Sequence, residues 1–344
     1  MGVNKKLRYQ QVASEQRQLK NFLPPQELDL YFIVRCGTLA ASSHNTQPWF
    51  FQIQQNAIKI IPDYTRRCPI VDPDDSHLYK SLGCAAENMV YAASASGYAT
   101  EIIFNGRENA ASLTFKKSSN LPVDDSLFDA IFERQSTRSH FEARFISNID
   151  MEWLVKHSQG LKVQAVFLQD KQKITMIADL VAQGDMIQYK DYSFRQELIK
   201  WIRCNPFVAL KKGDGLSTLS MQKPSLPTWL AKLLLPLVLS GKSQAKADRD
   251  LILQSPMVGA IFVDEENPQN WFEAGRLYER IALAGTARKI RNSPINQPIE
   301  VRLLRPLLQT AVAHGKGTPT MLFRMGYAGL MPYSLRRPWM SVIK

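Results

Sequence analysis

Two alanine-rich stretches at helical spacing, residues 84–97 and 272–285, each close on a glycine. Aligned by those glycines they share Ala86 with Ala274, Met89 with Leu277 and Ala93 with Ile281. Strand and helix patterns recur around both stretches in the same order, which is how an internal duplication reads in sequence. Before the first come a helix over 26–38 (Leu28, Tyr31, Phe32, Val34), a polar run at 41–48, and a hairpin in which Trp49, Phe51 and Ile53 alternate, as do Ile58 and Ile60. Strands at 101–104 and 112–115 follow. The second part runs through a helix at 127–134, a polar run at 135–140, a helix at 150–158, a strand at 163–168 and helices at 170–183 and 192–205. A proline-broken stretch then leads to a strand at 257–263, a long helix at 267–285 and a last strand at 320–327. The expectation is an α+β chain of two related halves: a tail over 1–25, a first half over 26–122, and a second half over 123–344 with a lid-like insertion near 210–246.

With 344 residues, 45% of them hydrophobic and 22% charged, there is ample core for two domains or one large one, and disorder is excluded as the dominant state. Four scattered cysteines and five histidines share no metal spacing, so neither a disulfide framework nor a metal site is expected. The polar N-terminus lacks the apolar centre of a secretory signal, making the cytoplasm the default. The apolar segment 229–239 is interrupted by Lys232 and Pro236, too short to span a bilayer, and reads as a core or lid helix. A net charge of +12 favours anionic partners, but the basic residues come in scattered pairs rather than a stripe, which does not support nucleic-acid binding.

There is no G-x-S-x-G, no dinucleotide fingerprint and no phosphate loop. Two polar runs remain. Ser42-Ser43-His44-Asn45-Thr46-Gln47-Pro48-Trp49 holds hydroxyls and carboxamides at a rigid step into a strand. A heteroaromatic ring edge of alternating donors and acceptors needs such neutral groups. The same run would equally serve as a helix-end turn with satisfied caps. Arg134-Gln135-Ser136-Thr137-Arg138 places two guanidiniums around a hydroxyl at a helix end, and Arg336-Arg337 follows the last strand. Guanidinium forks and a hydroxyl suit a phosphate dianion, although surface arginine pairs are also common.

Together these runs resemble the nitroreductase family of FMN proteins, over roughly residues 29–343 apart from the stretch 210–246. Arg134-Gln-Ser-Thr-Arg138 resembles the family's R-x-S-x-R/K run, Ser42-Ser43-x-Asn45-x-Gln47-Pro48-Trp49 its S-S-x-N-x-Q-P-W run, and the segment from Met325-Gly326-Tyr327 through Arg336-Arg337-Pro338 its closing strand and tail. Ordinary members carry the arginine run first and build the site between two subunits. Here the order is reversed, which is similar to the Acg-like branch, where two fused, three-layer nitroreductase-like halves imitate the dimer. Arg66-Arg67, Asp72-Pro73 and Gly83-Cys-Ala-Ala86 are also similar to that branch.

The resemblance implies one FMN per chain, a pseudo-dimeric monomer, and hydride transfer from NAD(P)H to a nitroaromatic, quinone or similar acceptor, with no obligatory catalytic side chain. It implies phosphate contacts from Arg134, Ser136, Arg138 and Arg336, ribityl or ring contacts from Ser42 and Ser43, and ring-edge contacts from Asn45 and Gln47, with Gln135 and Arg337 in support. A flavin-storing protein without turnover is the alternative, since the proline-broken stretch could cover the face a second substrate needs.

Overall fold

The computed structural model describes residues 2–18, 24–119, 125–312 and 317–344. Helix α1 (Gly2–Glu15) is followed by α2 (Leu30–Thr38), the hairpin β1 (Trp49–Gln54) and β2 (Ala57–Pro62), helix α3 (Ser76–Ala95), and strands β3 (Tyr98–Asn105) and β4 (Ala110–Lys117). Next come α4 (Asp125–Glu133), α5 (Asn148–His157), β5 (Gln164–Leu168), α6 (Lys171–Lys190), α7 (Tyr192–Trp201), β6 (Ile202–Arg203), α8 (Pro206–Lys212), β7 (Leu216–Ser217), α9 (Thr228–Val238) and α10 (Gly241–Leu253). The chain closes with β8 (Met257–Val263), α11 (Pro268–Ala287), β9 (Ile290–Pro294), α12 (Gln297–Glu300), α13 (Arg305–Val312) and β10 (Thr318–Tyr327). Among the described residues no helix is long and apolar enough to cross a membrane.

Two antiparallel four-stranded sheets result, ordered β1-β2-β4-β3 and β5-β8-β10-β9, with a short parallel pair β6-β7 beside them. The second sheet is covered on both faces, and its pleat sorts the side chains accordingly. Met257, Ile261 and Val263 of β8 join the core shared with α3, α11 and the first sheet. Val258, Ala260 and Phe262 join a second core with Ile177 and Val181 of α6 and Leu308 of α13. Continuous burial thus hides a strict two-residue alternation.

Helices α3 and α11 lie at the centre, and their backbones meet through glycine. A Cβ on Gly83 would fall inside the radius of the Phe272 carbonyl oxygen, and one on Gly275 inside that of the Lys80 carbonyl oxygen. These two contacts are reciprocal: Gly83 to Gly275 and Lys80 to Phe272 are both steps of 192 residues. The terminal-glycine alignment of 84–97 with 272–285 has a step of 188, so the contact register sits one helical turn away from it. Packing selects the close approach, to which the glycine at a helix end is indifferent.

Most elements lie where the periodicity puts them, and β8 coincides with the expected strand. Two do not. Residues 2–15, expected as a tail, form α1, docked through Tyr9 and Ala13. Strand β9 was not anticipated, because its centre is Arg291-Asn292-Ser293, a buried polar run that no hydrophobic pattern reveals. The expected boundary between 122 and 123 lies outside the described residues.

Replacing Gly83 or Gly275 by alanine drives a methyl into backbone that has no rotamer to escape with. Each should lose at least about 2 kcal/mol in chemical denaturation, whereas Gly106→Ala, with no atom near its added Cβ, should be close to neutral.

Candidate functional site

The end of α2 delivers Leu39 and Ala40 to the centre of the molecule, and there the two distant basic runs converge. Arg134, just after α4, and Arg336, in the tail after β10, each donate an Nη2–H to the Leu39 carbonyl at 2.9 Å. Arg336 also donates to the Ala40 carbonyl at 3.2 Å and to Oδ1 of Asn45 at 3.1 Å. Beneath them Glu279 of α11 lies 2.8 Å from Arg134 Nε and accepts from the Ala41 amide. Arg17, just beyond α1, completes the group by donating to the carbonyls of Ile131, Phe132 and Arg134 where α4 ends.

Charge is unbalanced here. Glu279 is fully buried, and Arg17, Arg134 and Arg336 are 5%, 2% and 6% exposed, so three guanidiniums confront one carboxylate. Burial and the neighbouring Arg17 and Arg134 hold Arg336 well below the ordinary arginine range. Burial, then Arg134, pushes Arg17 down to about 10. Burial raises the Glu279 carboxyl against the pull of Arg134. Among the described residues, the Nε groups of Arg17 and Arg336 are buried without a hydrogen-bond partner.

The corresponding place on α3 is different. Glu87, one 192-residue step before Glu279, is also fully buried, but it takes Nε–H donors from Arg276 at 3.0 Å and Arg280 at 2.6 Å, both on α11. Arg276 is shared with Glu273, so two cations meet two carboxylates and the charges cancel.

The run from Ser42 to Trp49 forms a tight turn held from several sides. His44, Asn45 and Gln47 have φ of 48°, 54° and 52°, left-handed values that cost a non-glycine residue roughly 1–2 kcal/mol each. The carboxamides offset that cost. Asn45 Nδ2 donates to the carbonyls of Gly215 and Leu335, both at 3.1 Å. Gln47 Nε2 donates to the Gly213 carbonyl at 2.9 Å, and its Oε1 accepts the Arg337 amide at 2.8 Å. Asp214, between those glycines, pairs with Arg66 and Arg203, and Arg66 Nε also donates to the Thr46 carbonyl. The turn, the 213–215 segment and the C-terminal tail are thereby one hydrogen-bonded unit.

These contacts redistribute the expected site residues. Asn45, Arg134 and Arg336 are brought together. Gln47 is fully buried, and both carboxamides are engaged by protein atoms rather than presented as an open ring-edge reader. Gln135 pairs both ways with the Met331 backbone, at 2.9 and 2.6 Å. Arg337 donates to the Gln47 carbonyl and so braces the turn. Ser42 Oγ accepts the Gln47 amide, and the Ser43 amide donates to Ser81 Oγ.

Ser136 bridges to Asn292 of β9. Solvent reaches Arg138, whose guanidinium is nevertheless crowded enough that burial lowers its pKa. Arg138 faces Asp248 electrostatically, and Asp248 shares Gln297 Nε2 with Asp185. Sequence reasoning missed Glu279 and Arg17. Glu279 shares 272–285 with Glu273, Arg276 and Arg280, so no sequence signal singled it out, and nothing marked Arg17.

Two outcomes follow. Asn45→Ala leaves two carbonyls and a guanidinium without their partner, and should cost about 1–3 kcal/mol in denaturant unfolding. His44 is pushed down to about 4 by burial. Between that value and an ordinary 6.5 the unfolded chain binds the extra proton, so stability contributed by the neutral ring is complete above pH 6.5 and is lost as pH falls toward 4. His44→Asn should flatten that part of the pH dependence of the urea midpoint relative to wild type.

No family model matches the chain. Among solved structures, a nitroreductase with bound FMN from Desulfitobacterium hafniense is similar over 63% of this chain and 96% of its own, at 12% identity and a TM-score of 0.38. An iodotyrosine deiodinase bound to FMN and 3-iodo-L-tyrosine is similar over 62% of this chain and 95% of its own, at 11% identity and a TM-score of 0.41. In sequence, the chain is similar over 322 residues, 91% of its length and 90% of theirs, at 23% identity, to two Mycobacterium tuberculosis proteins provisionally named NAD(P)H nitroreductases.

Proposed function

We propose that this protein is an FMN-dependent oxidoreductase of nitroreductase type, passing reducing equivalents from NAD(P)H to a nitroaromatic, quinone or similar acceptor. The observation that carries the reading is the buried excess of guanidinium over carboxylate around Glu279. Uncompensated buried charge costs several kcal/mol per ion, and a phosphate monoester dianion is of the right sign and size to balance it. The Nε of Arg336 fits such a group, since it is a donor that no atom of the described residues accepts from. The full-length similarity to proteins named as NAD(P)H nitroreductases supports the redox assignment.

In this reading Arg134 and Arg336 neutralise the phosphate, with Ser136 as a further donor. Bound FMN supplies the hydride and electron chemistry. Ser42 and Ser43 border the ribityl or ring, and the left-handed turn at 44–47 fixes the floor on which the ring rests. Asn45 and Gln47 act by holding that turn against the tail. Arg138, expected on the phosphate, is within reach of solvent and would add positive charge from outside the buried group. The chain is then two nitroreductase-like halves, divided near residue 122, that imitate a dimer within one monomer. The reciprocal contact of α3 with α11 supports that division. The self-neutralised surroundings of Glu87 support one cofactor site per chain, because the equivalent place lacks spare positive charge.

The hydrogen bonds that pin Gly213 and Gly215 across the turn favour, as a second reading, a protein that retains flavin behind the insertion without turnover. The absorption spectrum of the purified protein, followed by steady-state NADPH oxidation with a quinone, tests both. A flavin spectrum near one equivalent, bleached by NADPH and restored by quinone, is expected. Flavin that no nicotinamide nucleotide reduces would leave the storage reading, and no flavin uptake at all would overturn both. Arg336→Gln should weaken FMN binding by about tenfold or more with a much smaller effect on riboflavin, through loss of charge-assisted hydrogen bonds.

A further inference from the structure

Helix α1 is tied to the rest of the chain at the basic runs. Its apolar side, Tyr9 and Ala13, packs with Ala209 and Leu335. Tyr9 Oη donates to the Tyr333 carbonyl at 3.0 Å, and the Gln16 carboxamide pairs both ways with the Arg336 backbone, at 2.7 and 2.8 Å. Arg17 then reaches past the helix end, lies 4.4 Å over the Tyr333 ring, and bonds the last carbonyls of α4 up to Arg134 itself. Its three carbonyl contacts all use Nη1, at 3.1 to 3.4 Å, leaving the buried Nε without a partner among the described residues, as in Arg336. A cleft of about 230 Å3 opens beside this group; Glu15, Gln16, Arg35, Leu39, Arg336 and Arg337 are among the residues lining it, and Arg17 and Arg134 lie behind that lining.

Helix C-terminal carbonyls attract a cation, which explains one end of Arg17. They do not explain why a third guanidinium is buried against two others when a neutral side chain could make the same contacts without repulsion. An anion between the three does explain it. We infer that Arg17 is a third arm of the phosphate clamp, and that α1 is a strap that closes over a phosphate monoester held among Arg17, Arg134 and Arg336. The inference rests on the anion-site reading above and deepens it. Anion occupancy and α1 docking become linked: either one favours the other by the same factor.

Amide hydrogen exchange across residues 9–17 of the full chain tests the strap, with inorganic phosphate, FMN and riboflavin as probes. Phosphate and FMN should slow exchange there and riboflavin should not, because it lacks the phosphate. Arg17→Gln should abolish the phosphate effect and weaken FMN about tenfold to a hundredfold, with riboflavin affinity unchanged. Arg17→Lys, which keeps the charge but not the fork, should fall between. Unchanged α1 exchange in wild type saturated with FMN would overturn the proposal, as would wild-type FMN affinity in Arg17→Gln; the wild-type experiment decides even if the variant does not fold. Protection by phosphate in a chain that binds no FMN would uphold the strap and defeat the flavin reading.

Discussion

The contact on which the rest of this structure depends is the backbone approach of α3 and α11 at Gly83 and Gly275. Two helices this close cannot slide, since any side chain at either position would collide with the other's carbonyl. The approach fixes which face of each helix looks outward along the crossing, and so where Glu87 and Glu279 stand. It also joins the two sheets through one core, in which Trp49 and Phe51 of the first sheet and Phe323 and Met325 of the second pack around the same pair of helices.

From that frame a difference in charge arises. Both buried glutamates have arginine partners, but those of Glu87 come from the helix opposite and are matched by a second carboxylate. Glu279 pairs with Arg134 alone, while Arg336 and Arg17, from two other parts of the chain, stand near it as further positive charge. In a medium of low polarizability an unmatched guanidinium is expensive, and among the described residues the excess stands around Glu279 and not around Glu87.

The strained turn at 44–47 belongs to the same economy of contacts. Its left-handed residues are held by the carboxamides of Asn45 and Gln47, which take partners from the 213–215 segment and from the tail. Such strain persists only where the surrounding structure holds it in place, as these segments do. It also couples the 213–215 segment to the tail, so that disturbance of either is felt at the turn.

Much of this was legible in the chain itself. Hydrophobic period located the hairpin, the long helices and β8, because those elements bury one repeating face, and composition marked the two polar runs as places where donors and acceptors gather. The sequence by itself determined which residue types were available for an anion and roughly which elements carry them. Only the tertiary structure decided that Asn45 and Gln47 bind protein rather than open space, that polar β9 and α1 are ordered parts of the fold, and that Arg17 joins Arg134 and Arg336. The reason is that a hydrogen bond or an ion pair depends on what lies within about 3 Å in space, and residues 17, 134, 279 and 336 share no period, spacing or motif until the chain has folded.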